Sequence, residues 1–123
     1  MPATRPLVLS YAGCSTCKRA LRWFADHDIA VEVRPIVEQP PTTAELDGWI
    51  AKSGRPVRKW LNTSGQSYRA LGKPAVDAAS DAELVAWLAG DGKLVKRPVV
   101  VAGSKVLVGF DEAAYAAAFA GGR

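Results

Sequence analysis

The sequence predicts an α/β fold in which a mixed four-stranded sheet is covered by helices and carries a helical insertion. Three observations predict it: short apolar runs typical of buried strands, amphipathic segments with capping residues typical of helices, and the order in which they alternate. A chain of 123 residues is long enough to bury a core as one domain. We therefore expect a single domain over residues 1–123, with the insertion at about residues 42–95.

The first elements predicted are a strand, a helix and a strand. Residues 6–11 form an apolar run suited to a buried strand, and good helix formers follow from Cys17. A break at His27 and Asp28 precedes residues 30–37, whose alternating pattern predicts the second strand. Such a unit implies a parallel pair of strands with a right-handed crossover.

The insertion is predicted to be helical because it contains two capping boxes, Thr42 with Glu45 and Ser80 with Glu83. Between the two helices that they open, residues 57–72 contain a basic turn, a polar loop and a further helical piece. The apolar faces predicted for the two capped helices consist of Leu46, Trp49 and Ile50 in the first and Leu84, Trp87 and Leu88 in the second.

The last elements predicted are a β-hairpin and a helix. Two apolar runs within residues 98–110 are separated by a turn at residues 102–105. Asp111 can cap the final helix, in which Tyr115 and Phe119 lie four positions apart on one face. The complete order of elements matches the layered thioredoxin architecture.

The only two cysteines, Cys14 and Cys17, lie where the first strand meets the first helix. There, unpaired N–H groups and the helix dipole stabilise an anion, which lowers a thiol pKa and favours the nucleophilic thiolate. The N–H groups of Ser15, Thr16 and Cys17 would form half of an oxyanion cradle, and the guanidinium of Arg97 could complete it. We expect a low pKa for Cys14 and an ordinary one for Cys17.

Other interpretations of these residues stay open. A zinc site needs about four ligands, whereas the chain adds only His27 to its two cysteines, so we expect no metal. A structural disulfide across so short a loop would remove little entropy from the unfolded chain. Two buried, inert thiols are a further alternative, and Arg97 could be a surface charge at a strand end. Redox use of the pair is the interpretation that we favour.

Composition is ordinary for a soluble globular protein, with 49% hydrophobic and 23% charged residues. The net charge of +4 favours an oxyanion or an acidic partner surface. Basic residues are scattered, and the nearest approach to a patch, at Arg55, Arg58 and Lys59, is expected to be a solvated face, so we expect no direct nucleic-acid binding. No signal peptide or membrane-spanning run is visible. We expect a cytoplasmic monomer, whose dithiol would cycle catalytically or sense oxidants.

Three motifs together resemble the ArsC/Spx family of glutaredoxin-like arsenate reductases and Spx-type transcriptional regulators. They are the cysteine loop at residues 14–17, the NTSG and YRALG segments within residues 62–72, and KRPVVV at residues 96–101 followed by VLVGF at residues 106–110. The resemblance extends over nearly the whole chain. It implies a thioredoxin-like fold with a helical insertion.

The resemblance also implies roles for individual residues. Cys14 matches the cysteine that attacks arsenate, Arg97 matches an arginine that holds the oxyanion, and Cys17 resembles the second cysteine of the Spx-type loop. A Cys14–Cys17 disulfide would then resolve the intermediate. Asn62 and Gly109 stand at positions where the family reductases carry arginines.

The predicted substrate-binding residues are Gly13, Ser15, Thr16, Asn62 and Pro98. Pro98 matches the position at which this fold carries a cis proline beside the cysteine loop. Direct substrate contact is not the only interpretation here, because Asn62, like Thr63 and Ser64, is also typical of turns and caps.

The function implied is that of a thiol oxidoreductase of the arsenate reductase type, which serves arsenic detoxification. It would hold no cofactor and would draw electrons from an external thiol donor, either thioredoxin or glutathione with glutaredoxin. Two alternatives remain: a redox-sensing regulator of the Spx type that binds RNA polymerase, and a general thiol–disulfide protein.

Overall fold

The computed structural model describes residues 5–119. The chain forms two compact units. The sheet unit has residues 5–34 and 97–119 as its described part, and the helical unit has residues 35–96. None of the helices within residues 5–119 is long and apolar enough to cross a membrane.

A mixed four-stranded sheet has the strand order β2-β1-β3-β4, which confirms the predicted fold class. Its strands are β1 (Leu7–Ser10), β2 (Glu32–Pro35), β3 (Val99–Ala102) and β4 (Lys105–Val108). β3 pairs antiparallel with both β1 and β4, so the predicted hairpin is present. Pro35 is tolerated because β2 is an edge strand, where a missing N–H breaks no ladder between central strands.

Two helices, α1 (Ser15–Asp26) and α6 (Glu112–Phe119), belong to the sheet unit. α1 buries Ala20, Trp23 and Phe24, whose spacing of three and four places them on one helix face. They form the core of this unit together with Val8, Val100 and Tyr115. α1 ends at Asp26 with His27 as its C-cap, so the predicted break at His27 and Asp28 is present, and Asp28 adopts a left-handed φ of 57°.

Tyr115 joins α6 to the loop that precedes it. Its ring meets Trp23 edge-on, with 5.4 Å between the ring centroids, and its buried hydroxyl donates to the Gly109 carbonyl at 2.8 Å. A buried phenol hydroxyl needs such a partner, so this hydrogen bond allows the Tyr115 ring to be buried and connects the aromatic core to the loop at Gly109. The predicted cap is also present, because Asp111 Oδ1 accepts from the Ala113 N–H at 3.0 Å.

The helical unit contains α2 (Thr43–Ser53), α3 (Gln66–Leu71), α4 (Lys73–Ala78) and α5 (Asp81–Gly90), with 3₁₀ turns at Val57–Trp60 and Gly92–Leu94. Both predicted capping boxes are present, with reciprocal hydrogen bonds at the start of α2 and of α5. The predicted apolar faces are buried at Leu46, Trp49, Leu84 and Leu88, whereas Ile50 and Trp87 are only half-buried.

Arg58 has a structural role that the sequence did not reveal. Its guanidinium donates to the carbonyls of Val76 at 2.8 Å and Ala79 at 2.7 Å, which lie at the C-terminal end of α4. The Val76 carbonyl also accepts from the Ala79 N–H at 3.2 Å, and carbonyls in the last turn of a helix lack the usual partner one turn further on, so a cation there stabilises them. Arg58 is exposed, as expected for a solvated face, but its guanidinium also caps α4. The short helix α4, with Pro74 in its first turn, was also not predicted.

Gly92, in the second 3₁₀ turn, is required by a close approach of two backbone segments. A Cβ built on Gly92 would overlap the carbonyl group of Ile36 and lie 3.1 Å from the Cα of Val37. These are backbone atoms, which cannot turn aside as a flexible side chain would. Gly90, two residues earlier at the end of α5, has no heavy atom within 4 Å of such a Cβ.

We expect Gly92→Ala to lower the free energy of unfolding by roughly 1–3 kcal/mol, because the added methyl group forces backbone apart. Gly90→Ala is the matched control, since it adds the same methyl group to a helix in open space and should stabilise by roughly 0.5–1 kcal/mol. Denaturation midpoints of the two variants and the parent test this. Equal midpoints for the two variants would contradict it.

Candidate active site

The register of the sheet places the candidate site. Leu9 of β1 pairs with Val99 of β3 in an antiparallel ladder, so the end of β1 lies beside the start of β3. Tyr11 comes directly after β1, and Arg97 lies two residues before β3. The cysteine loop that follows β1 and the arginine that precedes β3 therefore share one edge of the sheet.

Cys14 is the N-cap residue of α1. Its backbone is extended (φ −99°, ψ 115°), and its Sγ accepts a hydrogen bond from the Cys17 N–H at 3.2 Å. The sulfur thus occupies the place that a Ser, Thr or Asp oxygen usually takes at a helix start. Of the three N–H groups expected to face it, that of Cys17 makes this bond, and no bond from Ser15 or Thr16 is found among residues 5–119.

The pKa of Cys14 lies below the usual range, as predicted. Burial raises it, but hydrogen bonds from the Cys17 thiol and N–H and from the Arg97 guanidinium, together with the charge of Arg97, outweigh the effect of burial. Each of these groups favours the anion over the thiol. The site therefore favours the thiolate form of Cys14, which is the form that acts as a nucleophile.

The prediction of an ordinary pKa for Cys17 is wrong. Its side chain has no exposed surface, and burial, together with the hydrogen bond to Cys14 and the charge of Cys14, raises the pKa of Cys17 to about 11. Hydrogen bonds with the Tyr11 backbone and the Ser10 side chain lower the pKa of Cys17 in part. The sequence could not show that the second cysteine faces an anion from inside the core.

Both cysteines are free thiols that interact with each other. Cys14 is half-buried with a lowered pKa, and Cys17 is buried with a pKa raised to about 11. Because the charge of Cys14 is one cause of the raised pKa of Cys17, consuming that charge in a covalent bond would make Cys17 easier to ionise. The pair can thus act in sequence, with Cys14 first and Cys17 second.

Arg97 lies over the ring of Tyr11, with Cζ 5.0 Å from the ring centroid. The Arg97–Pro98 peptide is cis, which confirms that prediction, and Pro98 is buried. The Pro98 carbonyl accepts from the Gly109 N–H at 2.8 Å. Gly109 has a φ of 81°, a conformation that glycine adopts without strain and that would strain an arginine at this position.

The other predicted substrate-binding residues are placed as follows. Gly13 and Ser15 are exposed, and Thr16 is half-buried in the first turn of α1. Asn62 belongs to the helical unit, where its N–H donates to the Leu94 carbonyl at 2.8 Å and its side chain donates to the Lys93 carbonyl at 3.4 Å. Asn62 thus serves the turn, and its contact with substrate stays a prediction.

Sequence reasoning missed Tyr11 and Ser10 as members of the site. Both fall inside the predicted first strand, and the one available signal was their position directly before the cysteine loop. Their contacts with Arg97 and Cys17 depend on strand register and burial, which the sequence alone does not show. Within the described part of the chain, no three His, Cys, Asp or Glu side chains are grouped so that they could hold a metal ion.

The fold and the site define an α/β protein with two interacting cysteines at a helix start. The model of the ArsC family matches residues 9–118, and the chain belongs to this family. YusI, an uncharacterised protein of Bacillus subtilis, is 42% identical over 103 residues, which are 83% of this chain and 87% of YusI.

Similar structures have been solved. An ArsC family related protein from Bacteroides fragilis is 43% identical with a TM-score of 0.88, over 93% of this chain and 97% of that one. An arsenate reductase from Vibrio cholerae is 25% identical with a TM-score of 0.76, over 85% and 89% of the two chains. In sequence, the chain also resembles the global transcriptional regulator Spx of Streptococcus agalactiae, which is 23% identical over 80% of this chain and 72% of the regulator.

We expect the two thiols to titrate far apart. In Cys17→Ser, the pKa of Cys14 should lie below the value of about 8.5 for free cysteine, because the backbone N–H of residue 17 and the Arg97 guanidinium remain. In Cys14→Ser, the pKa of Cys17 should lie above that of free cysteine, because the burial that contributes most to raising it persists. Thiolate absorbance against pH measures both midpoints. Coinciding midpoints would contradict the assignment.

Proposed function

We propose that this protein is a thiol-dependent oxidoreductase of the arsenate reductase type, with Cys14 as its nucleophile. The observation that carries the proposal is the placement of Cys14, an N-cap sulfur that receives hydrogen bonds from Cys17 and Arg97, which lower its pKa. A nucleophile beside a guanidinium suits an anionic substrate, because the fork of N–H donors can bind two oxygens of an oxyanion. Similarity to the Vibrio cholerae arsenate reductase supports arsenate as that substrate.

In the first step, the Cys14 thiolate attacks the arsenic atom of arsenate. A sulfur–arsenic bond forms and one arsenic–oxygen bond breaks, and the leaving oxygen departs as water once protonated. Arg97 balances the negative charge that accumulates on the arsenate oxygens. The charge on Cys14 is lost in this step, so one cause of the raised pKa of Cys17 disappears.

In the second step, Cys17 loses its proton and attacks Cys14 Sγ. The disulfide bond forms as the sulfur–arsenic bond breaks, and the electron pair of that bond stays on arsenic. Arsenic(V) is thereby reduced to arsenic(III), which leaves as arsenite, and the two thiols are oxidised to the Cys14–Cys17 disulfide. An external thiol donor, thioredoxin or glutathione with glutaredoxin, returns the disulfide to the dithiol.

Removing the guanidinium should impair arsenate turnover. We expect Arg97→Ala to lower kcat/KM for arsenate on the order of 10²-fold, the scale seen when one preorganised charge partner is lost. Arg97→Lys should recover only part, because an ammonium lacks the bidentate fork. The assay is arsenate-dependent NADPH consumption, run with thioredoxin and separately with glutathione plus glutaredoxin.

The matched control for this loss of charge is Lys105→Ala. Lys105 begins β4, and its ammonium donates to the Ala118 carbonyl at 2.9 Å, so its side chain is engaged by α6. Its removal takes away one positive charge from the same unit and should leave kcat/KM unchanged. A parent protein without arsenate turnover under either donor would reject the proposed function.

A resolving role for Cys17 requires an intramolecular disulfide. Mild oxidation should join Cys14 to Cys17, since their side chains already interact, and Cys17→Ser should abolish this product. Mass spectrometry of the intact chain under peroxide measures it as a loss of two hydrogens. Recovery of intermolecular dimers only, or of Cys14 sulfinic acid in the parent, would contradict the resolving role.

The second candidate is a redox-sensing regulator of the Spx type, which similarity to the Streptococcus agalactiae regulator and the paired cysteines favour. In that case the disulfide would be a switch for binding RNA polymerase. Pull-down of purified RNA polymerase by the reduced and the oxidised protein tests it. Redox-dependent binding without arsenate turnover would select this candidate, and a protein with neither property would be a general thiol–disulfide protein.

A further inference from the structure

The ring of Tyr11 lies under the group that the candidate nucleophile depends on. We propose that Tyr11 is a positioning residue, whose ring is a platform that holds the Arg97 guanidinium toward Cys14. This role rests on the proposed function only in that Cys14 is the nucleophile. It assigns Tyr11 no contact with substrate.

The first support is the geometry of the pair. Arg97 Cζ is 5.0 Å from the centroid of the Tyr11 ring, within the range of about 6 Å over which a ring face attracts a cation. The sheet brings the two residues together, because the pairing of Leu9 with Val99 sets Tyr11, just after β1, and Arg97, two residues before β3, at the same edge. Residues that flank the paired ends of two adjacent strands are close enough for their side chains to interact.

The second support is the space that the loop leaves for the ring. A Cβ built on Gly13 would lie 3.0 Å from Tyr11 Cε2 and 3.5 Å from Tyr11 Cζ. The φ of Gly13 is not in the left-handed range, so its backbone does not itself demand glycine. The absence of a side chain at Gly13 thus lets the Tyr11 ring lie against the cysteine loop.

The third support is what Arg97 does once it is held. Its guanidinium hydrogen bonds with Cys14, and its charge favours the thiolate. A flexible arginine at a strand end would sample several rotamers, and a ring beneath it favours those in which the planar fork lies over the ring. Tyr11 therefore acts on Cys14 through Arg97, and this indirect route can be tested.

The experiment compares the ionisation of Cys14, by thiolate absorbance against pH, in variants made in the Cys17→Ser background. Tyr11→Leu removes the aromatic face and should lower the ionisation constant of Cys14 roughly three- to tenfold, the effect expected for one cation–π contact. Tyr11→Phe keeps the face and should match the parent. Gly13→Ala, which displaces the ring, should shift the midpoint in the same direction as Tyr11→Leu.

The chain offers a matched control in Phe110, whose ring lies 5.7 Å from the Cζ of Arg19. Phe110→Leu removes a ring from beneath another arginine of the same unit and should leave the midpoint of Cys14 unchanged. The decisive control is the Arg97→Ala background. If Tyr11 acts through Arg97, Tyr11→Leu should cause no further shift there.

An unchanged midpoint in Tyr11→Leu, or an equal shift with and without Arg97, would overturn the proposal. If melting temperatures show that Tyr11→Leu does not fold, the Cys14 midpoint is measured instead in Gly13→Ala, with Arg97 present and in the Arg97→Ala background. The same two outcomes would then overturn the proposal. The absorbance measurement needs no arsenate. A protein that fails to turn over arsenate but shows the Arg97-dependent shift would reject the proposed function and keep the role of Tyr11.

Discussion

The candidate site depends on one interaction, the antiparallel pairing of β1 with β3. Pairing of Leu9 with Val99 brings the end of one central strand to the start of the other, and it does so between segments about 90 positions apart in the chain. The cysteine loop and Arg97 meet only because of this register. A slip of one residue would turn every side chain of the strand to the opposite face and separate the ring of Tyr11 from the guanidinium.

The two cysteines show how one helix start can give neighbouring thiols opposite properties. Cys14, at the N-cap, is partly exposed and receives hydrogen bonds, whereas Cys17, one turn further, points into the core. The anion on the first opposes ionisation of the second. This arrangement keeps one nucleophile and one proton-bearing thiol in a single loop, which suits any chemistry that uses the two sulfurs in order.

Membership of the ArsC family is established by the match over residues 9–118, and the chain is similar both to an arsenate reductase and to a transcriptional regulator. Both proposed functions depend on the sheet unit. In it, the pairing of β1 with β3 brings the cysteine loop beside Arg97 and the cis proline. The two positions at which the resemblance predicts arginines in the reductases have local explanations in this chain. Gly109 has a left-handed φ, and the side chain of Asn62 belongs to a turn.

The sequence by itself determined the class of fold, both capping boxes, the hairpin, the cysteine pair at a helix start and the low pKa of Cys14, because these follow from local periodicity and from helix-end chemistry. Resemblance placed Arg97 and the cis proline. Only the tertiary structure decided that Cys17 is buried against an anion, that Arg58 caps α4, and that Tyr11 lies under Arg97. Each of these depends on groups distant in sequence or on burial, and no local pattern records which strand pairs with which or how deeply a side chain is enclosed.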